Sequence, residues 1–166
     1  SRKLTGQPKE VFAIMNYAVD DNERPIFYKK VVETVVHEFC HSFTKIKGDT
    51  EKALEKSGKA LQEYTYFSMR RQAYSTWRNI LEESLVRAAT ICYLIDHDYD
   101  EKDIRNAIIE QVDRNFFWMP ELVQTLRYYK SHRKKYPTFT SFYPEIIHFF
   151  DRYVTNMEKE MKKAMK

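Results

Sequence analysis

Residues 37–41 read His-Glu-Phe-Cys-His, which is the pattern His-Glu-x-x-His. In a helix, side chains four positions apart project from one face, so His37 and His41 can both reach one metal ion. Glu38 lies beside them, where its carboxylate can accept a proton from a water activated by that metal. The pattern therefore predicts a hydrolytic centre, and Zn2+ is the metal expected in it.

The segment around this motif is strongly apolar. The apolar residues cover most of the helix circumference, and they are Val31, Val32, Val35, Val36, Phe39 and Phe43. A helix that is apolar on all sides is expected to be buried, whereas a surface helix with solvated histidines would show one polar side. Burying unpaired polar groups costs several kcal/mol each, and a bound metal ion would supply the partner.

A hydrolytic zinc site needs three protein ligands and an open position for water. The extended pattern with a third histidine is absent, because Thr44 and Lys47 stand where it requires Gly and His. A glutamate on a second helix is the remaining common option, and Glu82 and Glu83 both qualify. Glu83 is favoured because Arg87, one turn later, can orient its carboxylate from outside the ligand set.

The predicted helix that carries these two glutamates also has small residues, at Ser84, Ala88 and Ala89, which would let it approach the motif helix. If it lay on the surface instead, Glu82 and Glu83 would be solvated charges, as adjacent glutamates usually are.

Together the two segments resemble the gluzincins, zinc metallopeptidases whose metal is held by two His and one Glu. The likeness rests on the motif of residues 37–41 and on the later segment Glu83-x-x-x-Arg87-Ala88. The chain is similar in particular to small uncharacterised bacterial families that carry a Val-His-Glu-Phe-x-His-Ser-Phe segment. The second motif of thermolysin-type enzymes is absent, since Ser-Leu-Val follows Glu83.

This resemblance implies a zincin-like fold, Glu38 as the general base, and a metal held by His37, His41 and Glu83. It also suggests an extracytoplasmic location in a bacterium. A peptide or protein substrate would follow from the same resemblance. His97, His132 or His148 could stabilise the oxyanion of the transition state. A tyrosine hydroxyl can also donate to it, and Tyr143, beside Pro144 at the start of the last predicted helix, is a second candidate for that task.

The composition is that of one globular domain spanning residues 1–166, and because the chain begins at Ser1 we expect it to be a segment of a longer protein. The net charge of +4 is concentrated near residues 130–135 and 159–166, which predicts solvated faces rather than a nucleic-acid site. No apolar run approaches the twenty or so residues of a membrane span. Cys40 and Cys92 are expected to be buried free thiols.

The fold class expected is mainly α, an α+β zincin-like domain with one or two short strands near its start. Residues 10–19 predict a strand, which in a zincin would pair with an extended peptide. The segment 64–67 fits either a strand or a helix, 132–143 predicts a loop, and His148 is expected in the core or an interface. The predicted helices span about 25–47, 50–64, 74–95, 101–115, 120–131 and 144 onward.

The sequence thus predicts a zinc-dependent peptidase in which Glu38 acts as the base. The first alternative is a catalytically inactive zinc-binding relative that serves as a peptide- or protein-binding module. The second is a basic helical interaction domain in which the motif is accidental. Metal content separates the last from the other two, and peptide turnover separates the first two.

Overall fold

The computed structural model describes residues 2–3, 11–12 and 18–165, and this part of the chain is mainly helical, as predicted. Two short strands, β1 (Arg2–Lys3) and β2 (Val11–Phe12), pair antiparallel. The helices of the described residues are α1 (Lys29–Cys40), α2 (Asp49–Tyr64), α3 (Tyr66–Arg71), α4 (Trp77–Asp96), α5 (Glu101–Asp113), α6 (Met119–Ser131) and α7 (Phe139–Ala164). None of them is long and apolar enough to span a membrane.

Helix α4 is the centre of the fold, and α1, α2, α5 and α6 all pack against it. Its buried residues lie on several sides of the helix, so it is surrounded rather than lying on a surface. Ser84 faces α6, because the indole nitrogen of buried Trp118 donates a hydrogen bond of 2.9 Å to its hydroxyl. The small side chain of Ser84 therefore contacts the start of α6, and not the motif helix as the sequence suggested.

Helix α2 crosses α4 at a glycine. A Cβ placed on Gly58 would lie 2.5 Å from Cε3 of Trp77 and 3.2 Å from Cδ1 of Leu81. The two helices can therefore approach this closely only because residue 58 has no side chain. The contact holds the first turns of α4 in place, ahead of Glu83.

Helix α1 is shorter than the predicted helix over 25–47. It begins late because Val19 and Pro25 form an isolated bridge and the Ile26 amide donates to the Ala18 carbonyl, so this segment is a turn. It ends at Cys40 because the chain turns away there, with the Thr44 hydroxyl donating to the Cys40 carbonyl at 3.1 Å. Such side-chain bonds compete with helix continuation.

The expectation of an all-round buried motif helix is also wrong. Val31 is buried, but most of the helix is half-buried, and Phe39 and Phe43 are 41% and 70% exposed. Helix α1 packs mainly against α4, so its other faces remain open to solvent.

The remaining differences concern helix starts and strand length. The ambiguous segment 64–67 is helical, completing α2 and beginning α3. The predicted loop over 132–143 ends early, because a capping box between Thr138 and Ser141 starts α7 at Phe139 and leaves Pro144 inside the helix. Of the predicted strand over 10–19, Val11–Phe12 is observed, and residues 13–17 lie outside the described residues.

Candidate metal centre

The structure brings Glu83 together with His37 and His41, from which it is distant in sequence. Nε2 of His37 lies 3.3 Å from one carboxylate oxygen of Glu83, and Nε2 of His41 lies 3.6 Å from the other. The two imidazole rings stand edge to face with centroids 5.0 Å apart. One ligand atom from each residue lies within 4.8 Å of the others, so the group could hold a metal ion.

The two motif histidines remain on one face although α1 ends between them. His41 is the C-cap residue, and its φ of −55° and ψ of −23° are still right-handed helical. Its side chain therefore points in the direction that a continuing helix would give it. Glu83 projects toward them from the middle of α4 and is only 8% exposed.

Arg87 fixes the Glu83 carboxylate from behind. Its Nη2 lies 2.8 Å from Glu83 Oε1, and the same nitrogen donates to the Tyr74 hydroxyl at 2.9 Å. Nη1 donates to the amide oxygen of Gln111 on α5 at 2.6 Å, and the guanidinium lies over the Phe116 ring. Arg87 is thus held on three sides, and Glu83 has little freedom to rotate out of the site.

Tyr74 and Gln111 are the two residues of this arrangement that the sequence did not indicate. Tyr74 precedes α4 in a turn where Ala73 has a positive φ of 65°. Burial, followed by the charge of Glu83, raises the pKa of the Tyr74 hydroxyl, so this hydroxyl is electrostatically close to Glu83. Gln111 lies on α5 and is buried. No recognised sequence pattern links Tyr74 or Gln111 to the motif or to Glu83. Their positions beside Arg87 follow from the tertiary packing alone.

The electrostatics keep the ligands in the forms that bind metal. Burial by itself raises the pKa of Glu83, but the hydrogen bond from His37 and the charge of Arg87 outweigh it and lower the pKa to about 2. Burial lowers the pKa of His41, against the opposing effect of Glu83. A metal ligand must be an ionised carboxylate or a neutral imidazole, which these shifts favour.

The separations within the group are short enough for its members to share one ion. The imidazole nitrogens lie 3.3 Å and 3.6 Å from the Glu83 oxygens. Two nitrogens and one carboxylate oxygen form a donor set that could hold a metal ion.

Glu82, the alternative third ligand, points to another part of the molecule. One of its carboxylate oxygens accepts a hydrogen bond from the Ile46 amide at 3.0 Å, and the other accepts one from Lys45 Nζ at 2.9 Å. Glu82 therefore fastens the segment that follows the motif to α4. It lies in the next position of the helix, about 100° around the axis from Glu83.

Tyr143 also holds the segment that follows the motif in place, and it is not part of the group formed by His37, His41 and Glu83. Its hydroxyl donates to the Lys45 carbonyl at 3.1 Å, and the side chain is buried. Burial, followed by the charge of Glu82, raises the pKa of Tyr143 well above its usual range. Tyr74, whose hydroxyl accepts a hydrogen bond from Arg87, lies close to the Glu83 carboxylate instead.

Glu38, the predicted base, is half-buried on α1 between the two histidines of the motif. Its charge is one of the influences on the pKa of His41, behind burial, Glu83 and His37, so its carboxylate is electrostatically close to the ligand group.

The other histidines have different surroundings. The ring nitrogens of His97 and His132 lie 2.9 Å from the carbonyls of Tyr93 and Tyr128, four residues earlier. His148 is exposed on α7 and not in the core.

Two small clefts flank the ligand group. The cleft on one side, which we call the His37 cleft, has a volume of about 180 Å3 and is also lined by Thr34, Glu110 and Arg87. The cleft on the other side, the His41 cleft, has about 240 Å3 and is lined by Tyr74 and Glu83 among others. A molecule lying across α1 could therefore contact both clefts and the ligand group between them.

Residues 6–149 match the family described as Domain of unknown function (DUF4932). The match covers most of the chain, including the whole ligand group. No curated protein and no solved structure matches the chain.

Proposed function

Because the chain belongs to the family Domain of unknown function (DUF4932), its activity is inferred from its site, and we propose that it is a zinc-dependent peptidase of the gluzincin type. The observation that carries this proposal is the buried Glu83 carboxylate, which lies between the two motif histidines and is fixed by Arg87. A zincin-like arrangement, in which a motif helix and a glutamate helix face one another, is part of the proposal.

The ligand group explains why a charged carboxylate is buried in this position. An isolated buried carboxylate is costly, and so is an imidazole pair held together without a partner. In this chain the Arg87 guanidinium forms an ion pair with Glu83, and a metal ion held by the same carboxylate would give the two imidazole nitrogens a partner as well. His37, His41 and Glu83 would hold the zinc ion, which when bound would polarise a peptide carbonyl and lower the pKa of a water molecule.

Glu38 supplies the proton transfer in this proposal. Its carboxylate accepts a proton from the attacking water and delivers it to the nitrogen of the leaving amine. Its place on the same helix turn as His37 keeps it beside the ligand group. Arg87, Tyr74 and Gln111 act on Glu83 and hold it in one orientation, as the groups behind metal ligands do in other metalloenzymes.

The two clefts support an extended peptide as the substrate class. Each cleft is small, so each would take one modest side chain of a peptide lying across α1. A compact small molecule would fill one cleft and leave the other unused. Peptides recognised in extended form place successive side chains in such alternating pockets.

The experiment compares the wild-type protein with Glu38→Gln on a mixture of peptides, after loading both with zinc. We expect the wild type to cleave peptides, and the variant to keep its zinc but to lose roughly two to four orders of magnitude in rate, as on loss of a general base. Glu55→Gln is the matched control and should keep the activity, because Glu55 lies on α2 in an exposed ion pair with Lys59 and lines neither cleft.

Cleavage by Glu38→Gln at the wild-type rate would contradict the assignment of the base. Zinc bound by both proteins, with no peptide cut by the wild type, would favour the inactive relative that binds peptides or proteins as a module.

A further inference from the structure

A further cavity, of about 330 Å3, lies where α1, α4, α6 and the start of α7 meet. Its wall is mostly apolar and includes both cysteines, so we call it the cysteine cavity. Val36 and Cys40 line it from α1, Ala89 and Cys92 from α4, and Leu126 from α6. These residues of α1 lie about 60–140° around the helix from the two histidines, so the cavity opens on a different side of α1.

Cys92 contributes apolar surface to the cavity. Burial, followed by the charge of Asp96, raises the pKa of Cys92 to about 12. Cys92 therefore stays protonated at neutral pH, which argues against a thiolate metal site or a reactive nucleophile here. A protonated cysteine is a small hydrophobic side chain with a weak donor.

Positive charge predominates among the ionisable side chains that line the cavity, Asp96, Lys130 and Arg133. Lys130 Nζ lies 2.5 Å from a carboxylate oxygen of Asp96, so these two charges offset one another. Arg133 lies over the Tyr129 ring at 4.6 Å and donates one hydrogen bond to the Pro137 carbonyl at 2.7 Å. Its charge is not offset by an acidic residue of the cavity, and it has further N–H groups to donate.

We propose that the cysteine cavity binds a small amphiphilic carboxylate, with its apolar tail against Cys40, Ala89 and Cys92 and its carboxylate at Arg133. The volume lies at the lower end of the range for small-molecule sites, and an apolar wall with few charged groups is their usual lining. A guanidinium is the side chain best suited to a carboxylate, since it can donate two parallel hydrogen bonds.

The position of the cavity gives such a ligand access to the motif helix. Val36 and Cys40 come immediately before His37 and His41 in the chain, so a bound ligand contacts α1 beside both histidines. The binding site itself is separate from the ligand group and does not depend on metal or on peptidase activity. It can therefore be tested in the metal-free protein, whatever the outcome for the proposed function.

The probe is octanoate, added to the metal-free protein and followed by titration calorimetry. We expect saturable binding of one octanoate per chain. 1-Octanol, which has the same tail without the charge, should bind about tenfold more weakly, since the bond to the guanidinium is lost.

Two substitutions locate the ligand. Arg133→Gln should weaken octanoate binding about tenfold, whereas its exposed neighbour Lys134→Gln, which does not line the cavity, should leave it unchanged. Ala89→Phe should fill the cavity and abolish binding; if that variant does not fold, Arg133→Gln and Lys134→Gln still decide the question. No saturable binding of octanoate, equal binding of octanol, or equal effects of the two surface substitutions would overturn the proposal.

Discussion

At the scale of single residues, Glu82 and Glu83 show how adjacent side chains of one type take different tasks. Glu83 faces the motif histidines, and Glu82 faces the Ile46 amide and the Lys45 ammonium group. The difference follows from the rotation of about 100° between successive helix positions. Glu83 is buried and Glu82 is half-buried, and of the two only Glu83 lies beside the motif histidines.

This division predicts different losses for the two alanine substitutions. Glu83→Ala should weaken zinc binding by about 100-fold or more, because a direct ligand is removed. Glu82→Ala should leave zinc affinity nearly unchanged but lower the free energy of unfolding by about 1–3 kcal/mol, since the Ile46 amide loses its acceptor.

Chelator competition measures the zinc affinities of these two variants, and urea denaturation of the metal-free proteins measures their stabilities. Equal zinc affinities, or a larger loss of affinity for Glu82→Ala, would show that the helix presents its other side to the metal.

Arg87 is expected to support the buried Glu83 carboxylate. Its side chain is 12% exposed and that of Glu83 is 10%, so Arg87→Met leaves a buried carboxylate without its cation. We expect this variant to lose about 3 kcal/mol of stability without metal and to bind zinc roughly 10–100-fold more weakly. Saturating zinc should restore part of the stability, because the metal then offsets the charge of Glu83.

The matched control for this variant is Arg78→Met on the same helix. Arg78 forms an exposed ion pair with Glu51, with side chains that are 48% and 36% exposed. Its removal should cost less than about 1 kcal/mol and leave zinc affinity unchanged. If the two methionine variants behave alike, Arg87 does not support Glu83.

The ligand group could be predicted from the sequence because each of its two parts follows from the residue spacing within a single helix. His37 and His41 are related by helix periodicity, and Glu83 and Arg87 by the same spacing on a second helix. Tyr74 and Gln111 could not be predicted, since they reach Arg87 from a turn and from another helix. Their positions depend on how α4 packs against its neighbours, which no spacing within the chain encodes.

At the scale of elements, the crossing of α2 over α4 sets the position of the glutamate helix. Gly58→Ala replaces the residue with the poorest helix propensity after proline, which by itself would stabilise α2 by about 1 kcal/mol. The added Cβ would lie 2.5 Å from the Trp77 ring, however, and the ring is rigid. We expect the steric cost to prevail and the variant to lose about 1–3 kcal/mol of stability.

Thermal or urea denaturation tests this prediction, with Glu55→Ala on the same helix as the control. Glu55 forms only an exposed ion pair with Lys59, so its substitution should change stability by less than about 0.5 kcal/mol. A stabilised Gly58→Ala variant would mean that the helices separate without cost and that this contact does not place α4.

The ends of the elements were harder to predict than their existence. Most helices were placed to within a few residues, because each has its own apolar periodicity. The motif helix stops early because the chain turns where the Thr44 hydroxyl donates to the Cys40 carbonyl. Glu82, far away in sequence, then holds the turned segment by accepting a hydrogen bond from the Ile46 amide. Helix α7 starts early because the Thr138–Ser141 capping box is a stronger local signal than the proline at position 144.

At the scale of the whole molecule, few glycines and regular apolar spacing predicted a mainly helical protein, and that prediction is confirmed at this level. The sequence could not show that α4 would be surrounded by four other helices or that α1 would remain half-exposed. Burial depends on which elements meet, and the apolar faces of α1 alone could not distinguish a core helix from one at the edge of the molecule.

The metal content of the purified protein decides whether His37, His41 and Glu83 form a zinc site. We predict about one zinc ion per chain in protein prepared without chelator, measured by elemental analysis, and a strong loss of zinc when both His37 and His41 are replaced by alanine. His97→Ala and His132→Ala, which alter histidines at helix ends away from the ligand group, should keep the metal. A wild-type protein that holds no stoichiometric transition metal, even after zinc is supplied, would contradict the account.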